Sequence, residues 1–495
     1  MTAAKGATAA RRMPAKRGLR TVGREGRRFR ITPRLRGREL GLLLLCSGAL
    51  FVGSWSLGAT QAFRAAQLEG DNDFLNLSEA AEPGLLTVYL LALFGVHAAL
   101  VLAGRRTDQV LLPAVGMLGG IGLLLMIRLP QDLAGRLGGL AQTQLVWLVI
   151  GLAIIAALGV AVRNDVWLRR YKYTWAAVGV GLLLLVFLFG RDINGARLSL
   201  TIGPFSGQPS ELLKVILVVF LAGYLSENRG LLVEESTRIG PLRLPPLPYL
   251  APMVAMWAIA LGIVIVQRDL GAALLFFAVF LLLLYVSTAR FSFVVLGLAA
   301  FVLGAGLLYF VFDHVRTRID IWVDPFADPN GAGYQVVQAL HAFARGGLIG
   351  TGLGAGLPSV AGRPPIPALH TDFPFAALGE ELGLVGILAV LGLYLVLVER
   401  GLRIASAAQD EFRAILAAGL SLVIGVQAFI IAAGNLKLIP LTGITLPFVS
   451  YGGSSLLANS VIVGLLIALS ERTREPLPPP RRPGRFRRLL DRGAA

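Results

Sequence analysis

Four ionisable residues, His370, Asp372, Glu380 and Glu381, stand in Pro367-Ala-Leu-His-Thr-Asp-Phe-Pro-Phe-Ala-Ala-Leu-Gly-Glu-Glu-Leu-Gly383, at the mouth of an apolar run. A charge at the edge of hydrocarbon costs on the order of 3 kcal/mol, so such groups mark a cavity, an ion pair or a reaction. Pro374 suits the first position of a helix and biases Phe373 away from helical geometry, which puts Asp372 just before the helix start. The helix dipole favours its carboxylate and burial opposes it. A carboxylate held there can take a proton as a general base; a capping Asp bonding backbone N–H groups gives the same pattern. Glu380 and Glu381 lie about 10 Å further in, and a bond to a neighbouring helix competes with catalysis for either.

A second constellation is Gln208-Pro-Ser-Glu-Leu-Leu-Lys214, where proline again marks a helix start. Glu211 and Lys214, three apart, share a face; they can pair with each other, or Lys214 can meet a phosphate, as Arg197 can from the loop above. Gln267-Arg-Asp-Leu-Gly271 reads as a tight turn whose charges suit a salt bridge between loops, with Asp269 in a supporting role. Ser450-Tyr-Gly-Gly-Ser-Ser455 offers hydroxyl and backbone donors at a small-residue helix entry, Ser450 and Ser454 among them.

The elements that must carry these groups are membrane spans. The 495 residues are 55% hydrophobic and 15% charged, with a mean hydropathy of +0.71, which excludes a soluble globule. A span needs about 20 apolar residues. Twelve runs qualify, at 41–63, 83–104, 110–127, 144–162, 173–190, 210–226, 249–266, 270–288, 292–312, 374–398, 413–434 and 454–470. The expected fold is all-α, a polytopic membrane protein with about twelve transmembrane helices and a long loop over 313–373.

The net charge of +17 is confined almost wholly to the tails, with 13 Lys and Arg in residues 1–40 and 8 in residues 471–495. That distribution fits spans retained by a basic cytoplasmic side better than nucleic-acid binding. It places both termini inside and four polar clusters outside, Arg191 to Glu211, Gln267 to Gly271, the loop 313–373 and Asn435 to Ser455, where no ATP is available. The single cysteine, Cys46, excludes an internal disulfide, and the four histidines show no zinc spacing. Within the long loop, Val336, Val337, Leu340 and Phe343 predict an amphipathic helix over Tyr334 to Arg345 on the bilayer surface. Gly346 to Gly356 lacks the Lys-Ser/Thr of a phosphate loop and reads as backbone that packs closely on lipid or on neighbouring helices.

In order along the chain, Asn194 to Arg197, Gln208 to Lys214, Asp269 to Gly271, Gly333 to Gln335, Gly346 to Gly356, His370 to Phe373 with Gly379 to Gly383, and Pro440 to Ser455 resemble the SEDS family (shape, elongation, division and sporulation). This family comprises the bacterial membrane glycosyltransferases that include RodA and FtsW, and the elongation branch is nearest. The likeness spans about 173–470, which divides the chain into a basic tail (1–40), N-terminal helices with two extra spans (41–172), a glycosyltransferase core (173–470) and a basic Pro/Arg-rich tail (471–495). The sequence departs from the family's usual pattern at Arg197-Leu-Ser199, Arg268, Ala368 and Pro374.

The resemblance implies a peptidoglycan polymerase that joins lipid II into glycan strands at the outer face of the inner membrane, with undecaprenyl diphosphate leaving and inversion at the anomeric carbon. It puts the essential acid at Asp372. Arg197, Glu211, Lys214, His370, Thr371, Glu380, Ser450 and Ser454 become candidates for contact with substrate, and Gln208, Asp269 and Glu381 for support. Leaving charge would fall to Arg197, Lys214 or a divalent cation such as Mg or Mn. The implied partners are the nascent glycan, a class B penicillin-binding transpeptidase and the elongation or division machinery. A lipid II flippase and a non-catalytic scaffold are the competing expectations.

Overall fold

The computed structural model describes residues 33–69, 83–134, 139–162, 165–193, 196–202, 205–234, 237–239, 242–244, scattered positions of 251–265, 267–356 and 366–471. Most of both basic tails, the loop 67–82 beyond residue 69 and most of the expected span 249–266 lie outside these residues. In hydrocarbon every backbone N–H and C=O must be satisfied within its own segment, so long apolar runs become helices. Ten helices among the described residues are long and apolar enough to cross a membrane, and the shorter apolar helix Gly453–Leu469 falls on the last expected span.

The helices are α1 (Gly37–Glu69), α2 (Pro83–Ala103), α3 (Leu111–Arg128), α4 (Leu140–Ala161), the short α5 (Val166–Arg170), α6 (Lys172–Phe189), α7 (Pro209–Glu234), α8 (Leu270–Thr288), α9 (Phe291–Val311), α10 (Asp313–Val323), α11 (Tyr334–Gly346), α12 (Pro374–Ser406), α13 (Glu411–Asn435) and α14 (Gly453–Leu469). Helix α13 is the central rod. It packs along α12 and against α7, α8 and α14, and its inward face is a nearly continuous buried stripe from Ile415 to Asn435. By contrast, only Phe293 of α9 is buried, so that helix turns its apolar surface outward.

Two small antiparallel sheets interrupt the helices: β1 (Arg191–Ile193), β2 (Ala196–Ile202) and β3 (Phe205–Gly207), then β4 (Thr237–Ile239) with β5 (Leu242–Leu244). Strand β2 pairs with both its neighbours and sets Arg197 opposite Asp192.

Helix α11 forms where its periodicity predicts it. Its apolar face packs on α12, with Phe343 and Phe375 rings 6.0 Å apart, so this surface is covered by protein where lipid was expected. The glycine run after it is spliced into α12. Gly383 takes φ 66° and breaks that helix. The amides of Leu384 and Val385 turn to the carbonyls of Gly347 and Leu348, at 2.9 and 3.1 Å. The carbonyls of Glu380 and Glu381 accept instead from Thr351 and Gly352, at 2.9 and 3.0 Å. Two amides and two carbonyls at the kink thus bond to the loop, and close backbone packing on a neighbouring helix is what the glycines permit.

Candidate active site

Asp372 ends a tight turn in which Ala368 takes φ 56° and its carbonyl accepts from the Asp372 amide at 3.0 Å. The turn is fastened from three sides. Asn435, the last residue of α13, donates its Nδ2 to the Asp372 carbonyl at 3.0 Å. Ser450 donates its Oγ to the Thr371 carbonyl at 2.7 Å while accepting from the Leu446 amide at 2.8 Å. The Tyr451 amide donates to the His370 carbonyl at 2.8 Å. Backbone bonds to His370, Thr371 and Asp372 leave the Asp372 carboxylate as the free end of a rigid mount.

That carboxylate faces Gly443 and Arg318. A Cβ at Gly443 would stand 3.7 Å from Asp372 Oδ2 and 4.0 Å from Arg318 Nη2, so the missing side chain opens a slot beside both acid and guanidinium. Arg318, on α10, is steadied by a 3.0 Å bond from Nη1 to the Leu441 carbonyl, and it lies within electrostatic reach of both Asp372 and Asp269. Burial pushes the Asp372 carboxyl above its ordinary value, against the Thr371 hydroxyl and the Arg318 charge. Burial lowers His370, favouring the neutral imidazole, whose Nδ1 has no hydrogen-bond partner. A base of raised pKa beside a fixed cation suits removal of a proton from a hydroxyl whose partner leaves as an anion.

Beside the slot, a cavity of about 30 Å³ is lined by Gln208, Ser210, Glu211, Lys214, Asp269 and Gln427, and by Gly443 itself among others. Its charges are paired internally. Lys214 Nζ donates to Glu211 Oε2 at 2.6 Å, Gln427 Oε1 at 2.8 Å and Asn459 Oδ1 at 3.1 Å, which uses all three ammonium protons. The structure therefore shows the Glu211–Lys214 pair, with no proton of Lys214 left to meet a phosphate. Asp269 caps α8 by accepting from the Ala272 amide at 3.0 Å, and its other oxygen accepts from Gln208 and Ser210 at 3.1 and 3.2 Å. Those bonds occupy the place of the expected salt bridge between loops, while Gln267 donates to the Leu183 carbonyl at 3.1 Å and Arg268 takes φ 65°.

The other expected residues fall elsewhere. Glu380 pairs with Arg345 Nε of α11 at 2.9 Å, and Glu381 pairs with Arg128 of α3. Both acids tie helices together, on the bonding side of the two roles open to them. Ser454 begins α14 without joining these bonds; the neighbouring Ser455 accepts from Thr445 at 2.6 Å and from Asn459 at 3.2 Å. The backbone of Arg197 is in β2, and its side chain lies outside what is described. Among the described residues no three His, Cys, Asp or Glu side chains converge to hold a metal. Arg318, Gly443, Gln427 and Asn435 were missed by sequence reasoning; Gly443, at φ 71°, was the glycine of a loop already singled out.

A bundle of apolar helices that mounts a buried carboxylate near a guanidinium at one end defines a multi-pass membrane protein. Residues 109–475 match the model of the FtsW, RodA and SpoVE family, described as cell cycle proteins, and the chain belongs to that family. Helices α1 and α2 precede the matched residues. The chain is 40% identical over 450 residues to the peptidoglycan glycosyltransferase RodA of Mycobacterium bovis, covering 89% of this chain and 92% of that one. It is 35% identical over 336 residues to a probable peptidoglycan glycosyltransferase FtsW of Thiomicrospira cyclica, covering 67% and 82%. A chain in a solved peptidoglycan synthase complex that coordinates polymerisation and crosslinking matches with a TM-score of 0.59 and 27% identity, over 74% of this chain and 98% of that one. The RodA of Thermus thermophilus matches with a TM-score of 0.50 and 25% identity, over 74% and 97%.

Proposed function

We propose that this protein is a peptidoglycan glycosyltransferase that polymerises lipid II at the outer face of the bacterial inner membrane, with Asp372 as its general base. The carboxylate takes the proton of the acceptor sugar's 4-hydroxyl as that oxygen bonds to the anomeric carbon of the lipid-linked chain. The bond from that carbon to the diphosphate breaks, its electron pair leaves with the diphosphate, and the configuration inverts. The observation that carries this reading is the opening at Gly443, which a buried carboxylate and a guanidinium both border. His370 and Thr371 precede Asp372 in the same turn, with the Thr371 hydroxyl bonded to its carboxylate. Arg318 takes the leaving charge, a role expected of Lys214 and Arg197.

The positive-inside rule supports the orientation: Arg105 and Arg106, Arg169 and Arg170, Arg229, Arg400 and Arg403 all lie at helix ends away from Asp372. Both termini are then cytoplasmic. The shared fold with a chain of a synthase complex supports a class B penicillin-binding transpeptidase as partner. The test is purified protein in detergent with labelled lipid II, where a flippase or scaffold makes no polymer. Wild type forms glycan strands and Asp372→Asn, equally stable, forms none; a fully active Asp372→Asn removes Asp372 as the base.

A further inference from the structure

At the end of the bundle opposite Asp372 lies a cavity of about 1080 Å³, far larger than the slot at the active site. Helix α12 connects the two ends: it starts at Pro374 beside Asp372 and reaches the cavity with Arg400 and Arg403. At 1.5 Å per residue that is roughly 40 Å, so the sites are separate. Five arginines line the cavity, Arg38 of α1, Arg106, Arg400, Arg403 and Arg413. The two lining acids are committed to protein. Asp108 accepts from the amides of Val110 and Leu111, at 2.8 and 3.1 Å, and Glu471 is held by Arg105.

Not all the cations are satisfied. Arg413 is bound by Asp165, with Nη2 to Oδ1 at 2.6 Å, and Arg403 by Glu399. Arg400 pairs with Glu399 at 3.4 Å and with Asp108 at 3.8 Å, while its buried Nε has no hydrogen-bond partner among the described residues. Arg38 is exposed and forms no ion pair among the described residues. Leu42, Ile404 and Leu469 continue the lining in apolar character. A cluster of guanidiniums above an apolar wall, at the level where helices leave the bilayer, matches a phosphate headgroup with the first methylenes of its chains.

We propose that this cavity binds the headgroup of an anionic phospholipid. The chain's own tails are poor occupants, because residues 1–32 and 472–495 are themselves strongly basic. Helix α1 supplies Gly37, Arg38, Gly41 and Leu42 yet lies before the residues that match the family model, so the site belongs to chains that carry this helix. An acidic protein segment would meet the same charges, but the apolar wall favours a lipid.

Native mass spectrometry of the full chain from detergent, with phosphatidylglycerol or phosphatidylcholine added, tests this. Wild type should retain phosphatidylglycerol and not phosphatidylcholine, and inorganic phosphate should not displace it. With each arginine near an anionic headgroup contributing about one factor of five, the double variant Arg38→Gln/Arg106→Gln should retain it roughly twenty-five-fold less well. Arg38→Lys/Arg106→Lys should keep most of the binding and show that loss comes from charge and not from misfolding. Equal retention by the Gln variant, equal retention of the zwitterionic lipid, displacement by phosphate, or loss of a co-purifying protein with lipid retention unchanged would each overturn the proposal.

Discussion

Asp372 and Arg318 both border Gly443, with the position of the absent Cβ 3.7 Å from the Asp372 carboxylate and 4.0 Å from the Arg318 guanidinium. The acid comes from the turn before α12 and the cation from α10, so the pair exists only when the long loop is docked on the bundle. The charges facing Asp372 are therefore the means by which one part of the chain can tune another. Arg318 is the charge that acts on Asp372, and it is itself within reach of Asp269 from the turn before α8 and of His314 on its own helix.

The first prediction concerns that tuning. A base works when deprotonated, so polymerisation should fall as pH drops through the Asp372 pKa, which burial places above the ordinary carboxylate range. The Arg318 charge lowers that pKa, so Arg318→Gln should move the acid limb of the pH–rate profile to higher pH and reduce the rate at neutrality by about 10²-fold, the scale of one lost transition-state donor. Arg318→Lys should return the limb most of the way. A profile recorded with labelled lipid II checks both, and an unmoved limb in Arg318→Gln would show that the arginine does not act on Asp372.

The slot itself is open to a steric test. At φ 71°, Gly443→Ala costs about 1 kcal/mol of backbone strain, and its methyl meets only ordinary van der Waals neighbours. Folding should survive while the space between base and cation is filled. The expected result is a small loss of thermal stability with a loss of polymerisation of tenfold or more; near-normal turnover would mean that no reacting group passes over Gly443.

The contrast between Glu211 and Asp372 shows what the sequence could and could not reveal. Spans, helix starts at Pro209 and Pro374, and the turn that carries Asp372 follow from hydropathy and proline chemistry, which are local. Strand β2 was also legible, since Ala196 to Ile202 alternates apolar and polar residues, but a reading tuned to spans passes over seven residues at a membrane rim. Partners across the bundle are not local. Lys214 had Glu211 within reach at three residues, whereas its bonds to Gln427 and Asn459 cross more than two hundred positions. Arg318 likewise sits in a stretch of α10 crowded with charges, where nothing in spacing distinguishes it from Arg316.

The third prediction follows from that buried pair. Lys214→Met leaves Glu211 facing the cavity without its cation, and breaking a buried pair in this way costs about 3–5 kcal/mol. Thermal unfolding in detergent should show a large loss for Lys214→Met and recovery of most of it in Lys214→Met/Glu211→Gln, where no lone charge remains. If the single variant is as stable as wild type, the pair is not holding α7 to α13 and α14.

Two glycines of the spliced loop separate backbone conformation from packing. Gly350 and Gly352 both take left-handed geometry, at φ 81° and 99°. A Cβ at Gly350 would lie 2.1 Å from the Glu381 carbonyl oxygen, which is backbone and cannot give way, while one at Gly352 meets nothing nearer than 3.8 Å. Gly352→Ala should therefore cost about 1–2 kcal/mol of conformational strain alone. Gly350→Ala must also push the loop off α12, breaking the Thr351 and Gly352 bonds to Glu380 and Glu381, for a total on the order of 4 kcal/mol. Because those bonds hold the kink that directs Glu381 to Arg128 and Glu380 to Arg345, Gly350→Ala should also speed hydrogen exchange at Leu384 and Val385. Exchange measured on both variants decides the matter: equal protection at Leu384 and Val385 would mean that the loop rests on α12 without supporting it.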